Sequence, residues 1–137
     1  MELVELEEAQ EMASYAREEV DALAQIAVKI GRQLDGRAPA AGLRAVVAYA
    51  EDLEALVEFA ASAERLLSPS EVRLSLSLGG FQLRLFQVVD AISDALDEDD
   101  VRLAAALFGR RLAPALLDYH GIAGAVVAGL AAQAKAS

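Results

Sequence analysis

A single hydrophobic seam near the start of the chain limits the possible folds more than any other feature. Apolar residues recur there at alternating spacings of three and four: Leu6, Ala9, Ala13, Ala16, Val20, Leu23, Ala27, Ile30 and Leu34. This spacing is the heptad pattern of an α-helix that buries one face along its whole length. We predict a helix over residues 3–35, ended by Gly36.

A second seam with the same spacing follows a short loop. Its members are Leu43, Val46, Ala50, Leu53, Val57, Ala60, Glu64 and Leu67. The seam predicts a helix over 40–67 that packs antiparallel to the first helix. Because Tyr49, Phe59 and Leu66 lie off this seam, we expect them to be exposed and to form an interface with another protein.

The third segment fits two structures. Apolar and polar residues alternate over 72–85 around Gly79 and Gly80, as in a β-hairpin with a two-residue turn. The preceding Ser68-Pro69-Ser70-Glu71 is instead typical of a helix N-terminus, with a capping box and an early proline. We favour a helix over 69–96 and keep an α+β fold with a hairpin at 72–85 as the alternative.

An internal repeat supports the helix in the third segment. Residues 68–80 and 97–109 share acidic or hydroxyl cap residues, a Val-Arg-Leu triplet and a closing glycine, at an offset of 29. The second copy contains Ala104, Ala105 and Ala106, which strongly favour helix. We predict a fourth helix over 99–135, kinked near 109–113 because Pro114 removes a backbone donor.

The predicted fold class is therefore all-α, an antiparallel four-helix bundle with a kinked or broken last helix. Residues 1–137 form one domain, made of an acidic hairpin over 3–67 and an apolar hairpin over 69–135. Residues 1–67 hold 14 acids and 6 bases, whereas residues 68–137 hold 8 acids and 6 bases. The acidic hairpin thus carries −8 of the formal net charge of −10.

Composition excludes several kinds of function. The chain has no cysteine, which removes disulfides, thiolate metal sites and thiol nucleophiles. It has one histidine, His120, too few for a di-iron bundle or a zinc site. We predict no cofactor and no metal. A net charge of −10 also disfavours binding to nucleic acid.

Sequence signals also indicate a location. The acidic N-terminal residues do not resemble a secretion signal. Asp118 and His120 interrupt the apolar stretch over 112–134, so we predict no transmembrane span. Only two of the twelve basic residues are lysine, a bias typical of GC-rich bacterial genomes. We expect a cytoplasmic bacterial protein.

Two acidic motifs suggest an alternative function. Glu7-Glu8-Ala9-Gln10-Glu11 resembles the EExxE motif of the all-α nucleoside triphosphate pyrophosphohydrolases of the MazG and dUTPase kind. Glu51-Asp52-Leu53-Glu54 resembles their ExxD motif, with Glu54 in the aspartate position. The resemblance implies a Mg²⁺-dependent enzyme in which Glu8, Glu11, Glu51 and Glu54 hold the metal.

The pattern as a whole favours a non-enzymatic protein that acts through helix surfaces, by self-association or by binding another protein. We expect a homo-oligomer or a protein partner. An acidic chaperone, antitoxin or inhibitor of a basic protein is a further alternative, because the first hairpin is strongly anionic.

Overall fold

The fold is all-α, as shown by a computed structural model that describes residues 3–37 and 39–136. Its elements are α1 (Leu3–Leu34), α2 (Pro39–Leu66), α3 (Val72–Asp97), α4 (Val101–Leu107), a π-helical turn (Phe108–Leu112), α5 (Ala113–Leu117), a 3-10 turn (Asp118–Gly121) and α6 (Ala123–Ala136). The alternative hairpin over 72–85 is wrong, because α3 runs through that range without interruption.

Helix α1 lies against both α2 and the interrupted helix formed by residues 101–136, which we call the last segment. All nine residues of its predicted seam are buried, which confirms that interpretation. Small residues bring the backbones close together: a Cβ added at Gly31 would lie 2.9 Å from the carbonyl oxygen of Ala105 in α4. The alanine-rich seam therefore gives tight helix packing around one continuous core.

The segments run antiparallel to their neighbours. Each neighbouring pair is joined by a side-chain contact: Glu5 with Arg65, Gln82 Nε2 donating to Glu64 Oε2 at 2.8 Å, Arg84 Nε at 3.3 Å from Asp118 Oδ2, and His120 Nε2 at 2.7 Å from Asp21 Oδ1. These contacts close a ring from α1 through α2 and α3 to the last segment and back to α1.

The last segment is broken at two places. Pro114 cannot donate to the carbonyl of Arg110, and the N–H of Ala113 bonds to the carbonyl of Phe108, five residues back. This π-helical turn interrupts the α-helical hydrogen bonding where a kink or a break was predicted, near 109–113. A bend of 50° separates 101–121 from 123–136, and it was not predicted from the sequence.

The helix ends differ slightly from those predicted. Ser68 and Ser70 form a turn, in which the N–H of Glu71 donates to the carbonyl of Ser68, and α3 begins only at Val72. Helix α4 begins at Val101, where Asp100 Oδ1 accepts from the N–H of Leu103. The two helices thus start 29 residues apart, the offset of the internal repeat.

Membrane-spanning capacity is limited in the described ranges. No single helix there is long and apolar enough to cross a bilayer, although 101–121 and 123–136 reach the required length and composition as a bent pair.

Candidate functional site

The predicted interface residues of α2 are not exposed. Tyr49, Phe59 and Leu66 are only 4%, 6% and 2% exposed, so the expectation that they form a surface is wrong. The buried residues of α2 are Gly42, Tyr49, Leu53, Leu56, Phe59, Ala60, Ala63 and Leu66. The buried stripe is rotated from the predicted seam because the large side chains of Tyr49 and Phe59 occupy the core, while Leu43 and Ala50 face solvent.

Tyr49 contributes to the α1–α2 contact from inside the core. Its hydroxyl donates to the carbonyl of Leu23 at 2.8 Å, and its ring meets the Phe108 ring edge-on at 6.0 Å. Burial, and to a smaller extent the Asp52 carboxylate, raise the pKa of Tyr49 far above its usual value. This side chain is therefore a structural link between helices.

The carboxylates of the two acidic motifs are not brought together. Glu5 pairs with Arg65, and Glu8 and Glu58 line one groove between α1 and α2. At 1.5 Å per residue, Glu51 is roughly 10 Å farther along α2. Over 3–37 and 39–136, no group of three or more acidic or histidine side chains could hold a metal ion. The site predicted from Glu8, Glu11, Glu51 and Glu54 does not form.

An arginine-lined groove lies at one end of the bundle. Its volume is about 540 Å³, and its walls carry Arg32 from α1, Arg102 from α4 and Arg110 from the π-helical turn. Among the described residues that line it, Asp35 is the one carboxylate. The groove gives an otherwise acidic chain a cationic region.

The outer side of α3 is the most unusual surface of the chain. Val72, Leu76, Leu83 and Phe86 are 57%, 71%, 56% and 67% exposed. Together with Gly79 and Asp90 they follow one line at spacings of four and three, and we call these six residues the outer stripe. In the rest of the described chain, only three large apolar side chains are more than half exposed: Leu3, Val4 and Val47.

The opposite side of α3 is equally apolar and lies in the core. Its buried residues are Leu74, Leu78, Phe81, Leu85, Val88, Ile92 and Ala95. Helix α3 therefore presents two apolar faces, one covered by the chain itself and one facing solvent. A helix that is apolar on both sides is typical of one enclosed by neighbours on both sides.

Sequence reasoning missed the outer stripe although a signal was present. The alternation over 72–85 suggested a hairpin because every second residue is apolar. On a helix, the same residues divide between two opposite faces. The apolar residues left over after one buried seam was assigned therefore indicated a second apolar surface.

Comparison with protein-family models, curated proteins and solved structures finds no match for this chain.

Proposed function

We propose that this chain is a non-enzymatic interaction protein of the bacterial cytoplasm that binds a protein helix through the outer stripe of α3. The observation that carries the proposal is the alignment of four large, mainly exposed apolar side chains along one side of a 26-residue helix. Contiguous apolar patches on soluble proteins commonly mark interaction sites.

The spacing of the outer stripe indicates what kind of surface would cover it. Positions separated alternately by four and three residues fit the side chains of another α-helix, as in coiled coils and helix-in-groove complexes. The six positions from Val72 to Asp90 extend about 27 Å along the axis, about five helical turns. A partner helix of similar length would remove the stripe from water.

Photo-crosslinking from the outer stripe tests this proposal. Because the natural chain has no cysteine, L83C can carry a single thiol-linked benzophenone. V47C is a matched control, since Leu83 and Val47 are large apolar side chains that are 56% and 70% exposed. Each labelled protein is added to native cell extract and irradiated, and protein adducts are quantified on gels.

We expect adducts from position 83 to exceed those from position 47 severalfold. Excess unlabelled natural protein should compete for the adduct, whereas an unlabelled L76E/F86E variant should not, because its stripe carries two charges that would have to be desolvated. Equal adduct yields at the two positions, or equal competition by both unlabelled proteins, would contradict the proposal.

A further inference from the structure

The identity of the covering helix can be inferred from α3 itself. Resting on the proposed function, we infer that the partner is a second copy of this chain, with the two α3 helices packed antiparallel about a two-fold axis at the level of Phe81. Three independent features of α3 support this arrangement: the symmetry of the stripe, its glycines and its charges.

The stripe is symmetric about its own centre. Residues 72, 76, 79, 83, 86 and 90 are spaced 4, 3, 4, 3, 4, so the order of spacings is the same in both directions. In an antiparallel pair centred at residue 81, Leu76 of one copy meets Phe86 of the other, and Leu83 meets Gly79. A two-fold interface requires this self-complementarity, because the same patch must fit itself when reversed.

No contact among residues 3–37 and 39–136 requires glycine at positions 79 and 80 of α3. A Cβ added at Gly79 would make only ordinary contacts, the nearest at 3.5 Å from Glu64 Oε1, and one at Gly80 would meet nothing within 4 Å. No described glycine has positive φ, so their backbone does not require glycine either. Glycine inside a helix is unfavourable relative to alanine. A second helix approaching closely at Gly79 supplies a reason, because the missing side chain leaves room for Leu83 of the other copy.

The charges along α3 favour the antiparallel orientation. Arg73 lies at the N-terminal end of the stripe, whereas Asp90 and Asp94 lie toward the C-terminal end. Antiparallel packing places Arg73 of each copy near Asp90 of the other. Parallel packing would instead bring the two Asp90 carboxylates together, which is destabilising.

The size of the surface sets an expectation for affinity. Stable interfaces commonly bury about 800 Å² on each partner. The proposed interface is formed by one helix of each copy, with four large apolar side chains on each, so we expect a reversible monomer–dimer equilibrium that shifts on dilution.

Sedimentation equilibrium of purified protein measures this association. We expect a concentration-dependent dimer, weakened about tenfold or more by F86E, since the aromatic contact with Leu76 of the other copy is replaced by a charge. V47E introduces the same charge at another exposed apolar position, and it should change the dissociation constant less than about twofold.

G79A separates an interface role from a merely structural one. Alanine favours helix over glycine, so at concentrations where the protein is monomeric its melting temperature should rise. The same substitution should weaken the dimer, because the added methyl group fills the space for Leu83 of the other copy. A G79A protein that dimerises as tightly as the natural chain would overturn the proposed packing.

Disulfide crosslinking determines the orientation. V72C and D90C are prepared as single-cysteine proteins with different tags, and each is oxidised alone and in an equimolar mixture. Antiparallel packing predicts a disulfide only in the mixture, because Val72 of one copy faces Asp90 of the other.

Each other outcome has a distinct meaning. Disulfides in V72C alone and in D90C alone would show a parallel dimer and overturn the antiparallel arrangement. A strict monomer at every soluble concentration would overturn the second copy as partner. In that case a competable adduct of a different protein from position 83 would leave the proposed function in place, whereas the absence of any adduct would overturn both.

Discussion

The two faces of α3 carry nearly the same side chains in opposite surroundings. The inner face includes Leu74, Leu78, Phe81 and Leu85, which are at most 7% exposed, and the outer face includes Val72, Leu76, Leu83 and Phe86, which are at least 56% exposed. Composition alone does not distinguish them. What differs is whether the chain supplies a neighbour, and the effect of a residue on stability therefore depends on that neighbour.

The largest expected effect compares two leucines of α3. Leu78 is fully buried and Leu76 is 71% exposed. We expect L78A to lower the free energy of unfolding of the monomer by about 2–5 kcal/mol, through lost burial and the cavity left behind. L76A should change it by less than about 0.5 kcal/mol, because its site is on the surface. Urea unfolding at low protein concentration measures both values.

The comparison fails if the two leucines prove equivalent. A monomer destabilised as strongly by L76A as by L78A would mean that the chain itself covers the outer stripe. The dimer dissociation constant provides the complementary measurement, since only L76A removes a side chain from the proposed interface.

Part of this two-faced helix was predictable from the sequence. The α1 seam gave the correct buried face because its outward positions are mostly charged, so only one assignment was consistent. In α3 both faces are apolar, so periodicity alone could not exclude a hairpin. The repeat of Val72-Arg73-Leu74 at Val101-Arg102-Leu103 gave the correct answer because helix propensity in the second copy is unambiguous.

The faces of α2 were predicted less well. The α2 seam was assigned by classing each residue only as apolar or polar. That classification treats Ala50 and Tyr49 as equivalent, although their side chains differ greatly in size. In the structure, Tyr49 and Phe59 are buried because large rings contribute more apolar area to the core than small side chains. Contacts with more than one neighbouring helix, which a single-helix pattern does not contain, determined the rotation of α2.

The second prediction uses alkaline pH to weaken the core, including the packing of Tyr119 against the inner side of α3. Tyr119 packs against Phe81, with ring centroids 5.5 Å apart, and burial raises its pKa to about 12. Up to about pH 10 the phenol is protonated in both the folded and unfolded states. Between about pH 10 and 12 only the unfolded state loses this proton, so the free energy of unfolding falls by about 1.4 kcal/mol per pH unit.

Urea unfolding at a series of pH values checks this dependence. Tyr49 is also buried with a raised pKa, so it adds to the slope over the same range. A Y49F/Y119F variant should have a much flatter profile between pH 10 and 12. An unchanged slope in that variant would assign the alkaline loss of stability to other groups.

The third prediction sharpens the comparison with glycines. An added Cβ at Gly31 would lie 2.9 Å from the Ala105 carbonyl oxygen, whereas one at Gly80 would meet nothing within 4 Å. We expect G31A to destabilise the monomer by about 1–2 kcal/mol, since α1 and α4 must separate. G80A should stabilise it by about 0.5–1 kcal/mol through helix propensity. If thermal unfolding ranks the variants in the reverse order, the close approach at Gly31 is not present in solution.

The smallest expected effects concern two buried hydroxyl groups. Tyr49 donates to the carbonyl of Leu23, while the hydroxyl of Tyr119 is buried with no hydrogen-bond partner among residues 3–37 and 39–136. Y49F should therefore cost about 0.5–1.5 kcal/mol, the usual net value of one hydrogen bond. Y119F removes a polar group that is desolvated without compensation, so the free energy of unfolding should stay the same or rise by up to about 1 kcal/mol. Paired urea titrations at neutral pH resolve this difference, and an equal loss in both variants would indicate a buried water bound to Tyr119. If Y49F loses stability and Y119F does not, leucine, glycine and tyrosine follow one rule. The presence of a neighbouring group, more than the residue type, sets how much a side chain contributes to the free energy of unfolding.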